Sequence, residues 1–437
     1  MRWKNDTIHG WGRALSAMCE IARPEKSSEL AEVLADGAVP AMGNRRSYGD
    51  AALNDDGRAL DMTRLDKFLA FDDETGVLSV EAGVELGEIT RLFAPRGWLP
   101  PVLPGTGFAT VGGAIAMDVH GKNHHHIGSF GQHLASITLL INGKSRKIKP
   151  DRDAGLFKAT VGGLGQTGII VAAEIIMLPC KGDVMMVTER RVEGFDEFLT
   201  LLDGSEATYT VGWIDATAKG SALGRGILEE GETGSGLVPS PGRSKSVPFN
   251  APKFALSAPI VKLFNWLYYR RVPEHGRTLV KPISDFFFPL DKIHDWNRLY
   301  GKNGFHQFQC VVPINSAAAL REILQLIANS GLASPLAVLK RMGEGRGGYL
   351  SFPIEGYTLA VDFPNTEAAR VLIPRLEAMA VEAGGRIYFA KDSLSKGDKI
   401  ADMYPDYSDW RKAVEKTDPD RNLATDLVRR LNLRSAE

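Results

Sequence analysis

Cysteine is scarce in this chain: three in 437 residues. Cys19, Cys180 and Cys310 are far apart and odd in number, so they form no CxxC-type metal site and fit a reducing compartment. An excess of one charge is also missing. Fifty-two basic residues face 53 acidic ones, which gives no reason to expect a nucleic-acid partner. A neutral total still allows a local basic patch, so it excludes little about membranes. No window approaches the ~20 apolar residues needed to span a bilayer. The opening "MRWKNDTIHGWGR" lacks the apolar core of a signal peptide. There is no HExxH, and no second His/Asp/Cys cluster stands at ligand spacing.

What is present is enough chain for two or three domains and a glycine-punctuated first part. "GVLSVEAGV" (76–84) alternates like a strand, and "ELGEITRLF" (85–93) has Leu86, Ile89 and Phe93 at helical spacing. Two apolar arms around Asn142-Gly143 predict a hairpin over 135–150. "TGIIVAAEIIML" (167–178) reads as a buried strand. The Gly/Ser/Pro-rich tract 231–252 reads as a mobile loop. The aromatic segment 257–271 after it reads either as a helix covering the core or as one lying on a membrane. From 305 to 391 the pattern predicts β-α-β-β-α-β, an antiparallel sheet covered by two helices, with "RIYFAK" as the last strand.

Several motifs carry possible chemistry. "GLGQTG" (163–168) is a literal GxGxxG, but a β-branched run follows where a Rossmann turn needs a helix, so NAD is not expected there. "GNRRSYGDAALN" (43–54) could be an anion-binding nest or a surface turn. In "PGTGFATVGGAIAMD" (104–118), Gly105, Gly107, Gly112 and Gly113 would let the chain pass close to a flat or charged ligand, or close to a neighbouring strand. In "HQFQC", Gln307 and Gln309 share one face of a strand, either for sugar hydroxyls or as a solvated face. Lys391 ends an apolar strand next to a turn, either as a persistent charge or proton exchanger beside a cofactor or simply exposed.

Four histidines fall within seven residues: His120, His124, His125 and His126. Three consecutive histidines cannot all point to one ion in a regular backbone. The surrounding glycines argue for a loop, so no metal site is expected here.

In order along the chain, "GNRRSYGDAALN", "VLPGTGFATVGGAIAMDVHGKNHHHIGSFGQH", "ATVGGLGQTGII", "LSFPIEGYTLAVDFP", "YFAKDS" and "MYPDYSDW" resemble the vanillyl-alcohol-oxidase-like FAD family. Within it they are similar to the decaprenylphosphoryl-β-D-ribose oxidase branch, the flavin half of a 2′-epimerase. The stretch 220–280 resembles it least. The resemblance implies an α+β, two-domain PCMH-like FAD-binding fold with an antiparallel-sheet substrate domain. The expected division is 1–182 for FAD, 183–385 for substrate, and 386–437 returning to the FAD domain.

By the same resemblance, Gly43, Arg45, Arg46, Ser47, Tyr48 and Gly49 form the pyrophosphate loop. Gly105, Thr106, Gly112, Gly113, Asp118, His120, Gly121, Lys122 and Asn123 line the flavin, with Gly168, Ile169 and Tyr388 as further cofactor contacts. Lys391 and His120 are the implied catalytic residues. Gln307, Gln309, Lys340, Thr358, Ala360 and Lys391 are the implied substrate contacts. Relatives with covalent flavin have a histidine where this chain has Arg46, so FAD is expected to be non-covalent. Ala360, Thr358 and Phe287 replace a cysteine, an asparagine and a tyrosine of family members, at positions implied to surround the substrate.

The implied reaction is oxidation of the 2′-hydroxyl of a polyprenylphosphoryl ribose. A short-chain NAD(P)H dehydrogenase would reduce the product, and quinone or oxygen would reoxidise the flavin. The expected location is cytoplasmic and peripheral on the inner membrane surface, with the periplasmic face left open. The rivals are a soluble sugar-alcohol or aldonolactone oxidase, a metal-dependent hydrolase using the histidine run, and a membrane-associated binding protein without catalysis.

Overall fold

The computed structural model describes residues 2–34, 37–239, 244–332 and 334–434. The first part carries two sheets. One joins Lys4–His9, Ser16–Ala22, Arg58–Asp61 and Ala41–Met42; the other joins Phe68–Asp72, Val77–Glu81, Ile169–Ile176, Leu134–Ile141 and Lys144–Ile148. The predicted hairpin is present. Asn142 (φ 48°) and Gly143 (φ 71°) both sit in the left-handed region, as a type I′ turn demands. Helix Leu86–Phe93 buries Leu86, Ile89 and Phe93 on its apolar face.

A single eight-stranded sheet follows, in the order Arg277–Pro282, Val184–Val192, Gly226–Gly234, Tyr209–Ile214, Ala337–Met342, Gly356–Pro364, Phe305–Pro313, Arg386–Ile387. All the pairings recorded within it are antiparallel. The expected β-α-β-β-α-β order from 305 is observed. Helix Ala317–Ser330 turns Leu320, Ile323, Leu324 and Ile327 inward, which at about 1.5–3 kcal/mol each is what fixes it to the sheet. It stops at Gly331, whose φ of 68° ends a helix without a Cβ penalty. Helix Glu367–Glu382 is capped by Thr366, which accepts from the Ala369 amide at 3.2 Å.

Three local expectations need correction. "RIYFAK" is a strand only at Arg386–Ile387; the Lys391 amide donates to the Tyr388 carbonyl at 2.9 Å, so Lys391 ends a turn. The tract 231–252 is not one loop. Residues 231–234 complete strand Gly226–Gly234, held along its length by Val184–Val192, and Lys245–Ser246 pair with Ile293–His294. Residues 240–243 lie outside the described residues. The triple histidine is not a loop either, because His124–Ile127 form one helical turn.

Two ties hold these parts in register. Arg430, near the end of the chain, donates to Asp50 (2.7 Å) and to Asp392 (3.0 Å). Asp118, fully buried at φ 40°, accepts from Ser129 Oγ (2.7 Å), Gly131 N (2.8 Å), Gly347 N (2.9 Å) and Ser351 Oγ. One carboxylate therefore joins the end of helix Val111–Ala116 to the connection between two strands of the large sheet. Asp118→Ala leaves these donors buried and unpaired. It should cost about 3 kcal/mol or more in denaturant unfolding, whereas a loss below about 1 kcal/mol would contradict this role.

Candidate active site

The large sheet presents one polar face, set by its register. Gln307 lies opposite Asp362, Gln309 opposite Ala360, and Lys340 opposite Thr358, so all six share a side. The opposite side of strand Phe305–Pro313 carries Phe308 and Cys310, which join the apolar core. Gln307 and Gln309 are buried, so this is not a solvated face.

His120 is the centre of the first group. Its Nε2 lies 3.0 Å from Gln309 Nε2 and its Nδ1 lies 3.1 Å from Lys340 Nζ; Gln309 also donates to Thr358 Oγ1 at 3.3 Å. Burial, and then the Lys340 charge, hold the His120 pKa well below 6.5, so the ring is neutral at neutral pH. A neutral imidazole carries one N–H and one acceptor nitrogen, and cannot accept from two donors. Either Lys340 is neutral and accepts from Nδ1–H, or the Gln309 amide turns its oxygen to Nε2–H. Burial pushes Lys340 down to about 7, with Lys122 and Lys391 adding repulsion. The ring packs beside Tyr388 (5.3 Å) and Phe352 (5.6 Å).

Lys391 is the centre of the second group. Its Nζ sits 3.5 Å from the centroid of the Tyr48 ring, a cation–π contact inside the protein. Burial lowers its pKa, and Asp362 opposes that shift. Burial likewise raises Asp362. Asp362 accepts from Gln307 Nε2 at 2.5 Å and from the Tyr300 hydroxyl at 3.1 Å, and that hydroxyl also meets Ser334 Oγ at 2.9 Å. Sequence reasoning missed Asp362 and Tyr300. The signal for Asp362 was available: the period of two that pairs Thr358 with Ala360 reaches Asp362 next.

Other expected residues fall elsewhere. Lys122 Nζ donates to the Phe286 carbonyl and lies 3.9 Å from the Phe286 ring; burial lowers it to about 8. The Tyr388 hydroxyl donates to the Met117 carbonyl at 3.3 Å. Ile169 belongs to a separate apolar cluster with Leu60 and Leu65, and a side chain at Gly168 would meet Ile141. Phe287 is inside another apolar cluster, edge-on to Tyr209 at 4.9 Å. Asp118 was expected at the cofactor, but its oxygens are taken by protein donors and it positions the site instead. His125 and His126 each place Nε2 3.2 Å from the Ala207 carbonyl, which docks the segment before strand Tyr209–Ile214. His124 Nδ1 accepts from the Gly343 amide. Among the described residues no three His, Cys, Asp or Glu side chains converge as ligands.

The glycines also need a new account. A side chain at Gly43 would strike Thr110, at Gly49 the Asp392 carbonyl, at Gly112 Ala82, at Gly113 Thr110, and at Gly121 Asn123 and Leu103. These glycines serve close packing of the chain on itself. Gly105 alone of this group faces open space.

Comparison with known proteins decides the class. Residues 20–147 match the family described as FAD binding domain. The chain is 37% identical to decaprenylphosphoryl-beta-D-ribose oxidase of Mycolicibacterium smegmatis, over 98% of this chain and 97% of that one. The chain belongs to the FAD-binding vanillyl-alcohol-oxidase, PCMH-type family. It is similar to L-gulono-1,4-lactone dehydrogenase of Mycobacterium tuberculosis at 23% identity, over 96% of this chain and 97% of that one. A shorter stretch, 28% of this chain and 23% of the relative, is 34% identical to Delta(24)-sterol reductase of Homo sapiens.

Members of this family are FAD-dependent oxidoreductases, and the residues present fit the cofactor. The Arg46 guanidinium lies between Trp11 (4.2 Å) and Phe108 (4.5 Å), and its buried Nε has no protein partner. Arg45 stands next to it at φ 49°, and Ser47 and Tyr48 are pinned by their backbones to Trp11 and Ala390. The loop 104–107 is fixed from the other side, since Asp291 accepts from the Gly107 amide at 2.7 Å and from Thr106. Asn123 donates to the Pro101 carbonyl and leaves its buried Oδ1 without a partner. An unpaired buried guanidinium nitrogen suits the anionic bridge of a dinucleotide.

The His120 account makes a direct prediction. Removing the Lys340 charge removes a repulsion, so Lys340→Met should raise the His120 pKa. In NMR of ring-labelled protein, His120 should be neutral at about pH 6 in the unaltered chain and shift upward in the variant. An unchanged or lowered value would contradict the contact.

Proposed function

We propose that this oxidoreductase oxidises the 2′-hydroxyl of a polyprenylphosphoryl-β-D-ribose to the 2′-keto sugar, the first half of a 2′-epimerisation that leads to the arabinose donor. The observation that carries this reading is the charge on the polar sheet face. Lys340 and Lys391 are half-buried within reach of each other's charge, and the buried carboxylate Asp362, which accepts from Gln307, is the acid that acts on Lys391. Such a site is short of negative charge. A sugar linked to a phosphodiester supplies that charge; a free lactone does not. The relative that acts on decaprenylphosphoryl ribose supports the same substrate.

Bound FAD supplies the hydride acceptor. The chain supplies the rest. Lys391, held proton-poor by burial, takes the hydroxyl proton, and the Tyr48 ring steadies the ammonium that forms. Asp362 offsets that charge and accepts from the Tyr300 hydroxyl, which also meets Ser334 Oγ. Gln307 and Gln309 orient sugar hydroxyls, and Thr358 and Ala360 shape the same face. His120 is neutral with both nitrogens engaged, so it orients Gln309 and Lys340 rather than accepting the proton.

On this reading residues 1–182 and 386–437 hold FAD and 183–385 hold the sugar. A short-chain NAD(P)H dehydrogenase completes the epimerisation, and quinone or oxygen takes the electrons. The second reading is an aldonolactone oxidase, favoured by the lactone dehydrogenase relative. Anaerobic spectra separate the two. Polyprenylphosphoryl ribose should bleach the flavin bands, while free ribose and L-gulonolactone should not. Lys391→Ala should keep bound FAD and lose the bleaching. Bleaching by the lactone alone, or a variant as fast as the unaltered protein, would contradict the proposal.

Arg46 stands where covalent relatives carry the linking histidine, and guanidinium forms no such bond. Acid precipitation should therefore leave the yellow colour in the supernatant. Flavin that stays with the pellet would contradict non-covalent binding.

A further inference from the structure

Among the described residues, nine of the seventeen large apolar side chains left exposed lie between 237 and 267. Helix Ala258–Arg270 buries only Val261 and Asn265. Its inner side is tied by specific contacts: Asn265 donates to Asp215 at 2.7 Å, Tyr268 packs on Trp213 at 4.6 Å, and Arg271, just past its end, pairs with Glu189 and Glu229. Its outer side presents Leu263 (59% exposed), Phe264, Trp266 and Leu267 (56%), extended by Phe249 and Phe254. No helix among the described residues is long and apolar enough to cross a membrane.

The charge on this surface is one-sided although the chain is neutral overall. From 244 to 270 there is no Asp or Glu, and there are four Lys or Arg. Lys253, Lys262 and Arg270 are exposed, and the Arg270 guanidinium lies 4.2 Å from the Trp266 ring. An apolar helix face with basic residues and an aromatic at its rim suits the headgroup layer of an anionic bilayer. A second copy related by a two-fold axis would set like charge against like. The surface is also coupled to the polar sheet face, because Trp213, under the helix, pairs with Val338, two residues from Lys340.

We infer that helix Ala258–Arg270, with residues 244–257 before it, docks the protein on a bilayer rich in anionic phospholipid. The inference deepens the proposed function and rests on it for why a bilayer is the partner. The test is flotation of the full-length, flavin-bound protein with vesicles of phosphatidylcholine alone or mixed with phosphatidylglycerol. The protein should float with the mixed vesicles, less so as salt rises. Leu263→Glu/Leu267→Glu and Lys262→Glu/Arg270→Glu should each weaken binding roughly tenfold or more, with flavin content unchanged. Failure to float with the mixed vesicles at low salt would overturn the inference, as would variants that bind like the unaltered protein. So would a dimer that Leu263→Glu/Leu267→Glu converts to monomer. Normal binding by a protein that no ribose lipid can bleach would keep this inference and overturn the substrate.

Discussion

The carboxylate of Asp118 is the joint on which the site depends. It takes Ser129 and Gly131 from the histidine-bearing segment, and Gly347 and Ser351 from the connection between two strands of the large sheet. His120 stands two residues away on one side of that joint, while Lys340 leads into the other. The 3.1 Å contact between His120 and Lys340 sits between this joint and a second tie, the Gly343 amide donating to His124 Nδ1. The left-handed backbone at Asp118 is tolerable for aspartate and lets the chain turn back over its own carboxylate.

Around that joint the molecule keeps basic groups half-buried. Lys340, Lys391 and Lys122 all lose protons more readily than a lysine in solution, and burial is the first cause in each case. The contrast within the same sheet is instructive. Glu189 is buried too, yet Arg271, Arg277 and Lys281 surround it and hold it down at about 2. That cluster is compensated and serves the fold. In the lysine group a single carboxylate opposes the shift at each of two members, Asp362 at Lys391 and Glu229 at Lys122.

Much of the frame was legible in the sequence because it rests on local periodicity. The Asn142-Gly143 turn, the apolar stripe of Ala317–Ser330 and the shared face of Gln307 and Gln309 all follow from spacing alone. What was not legible depended on contacts across long stretches of chain. The glycines of 104–121 read as room for a ligand or for a neighbouring strand, and Gly112, Gly113 and Gly121 make room for Ala82, Thr110 and Asn123. Asp118 looked like a cofactor contact, and its real partners include two residues more than 200 positions away. Lys391 was expected at a strand end next to a turn; the strand stops at Ile387, and the turn sets Lys391 against Tyr48. His125 and His126 read only as a surface run, whereas both stand against the Ala207 carbonyl.

The central claim is that a desolvated Lys391 accepts the proton of the sugar hydroxyl. Only its neutral form can do so, and burial shifts the neutral form toward lower pH than the ordinary 10.5. The most direct test is single-turnover flavin reduction by saturating polyprenylphosphoryl ribose from about pH 6 to about pH 10. The account predicts a rate that rises with pH and levels off well below 10.5, and a rise that Lys391→Ala abolishes. A flat profile, or one that climbs only near the pKa of a free lysine, would contradict it.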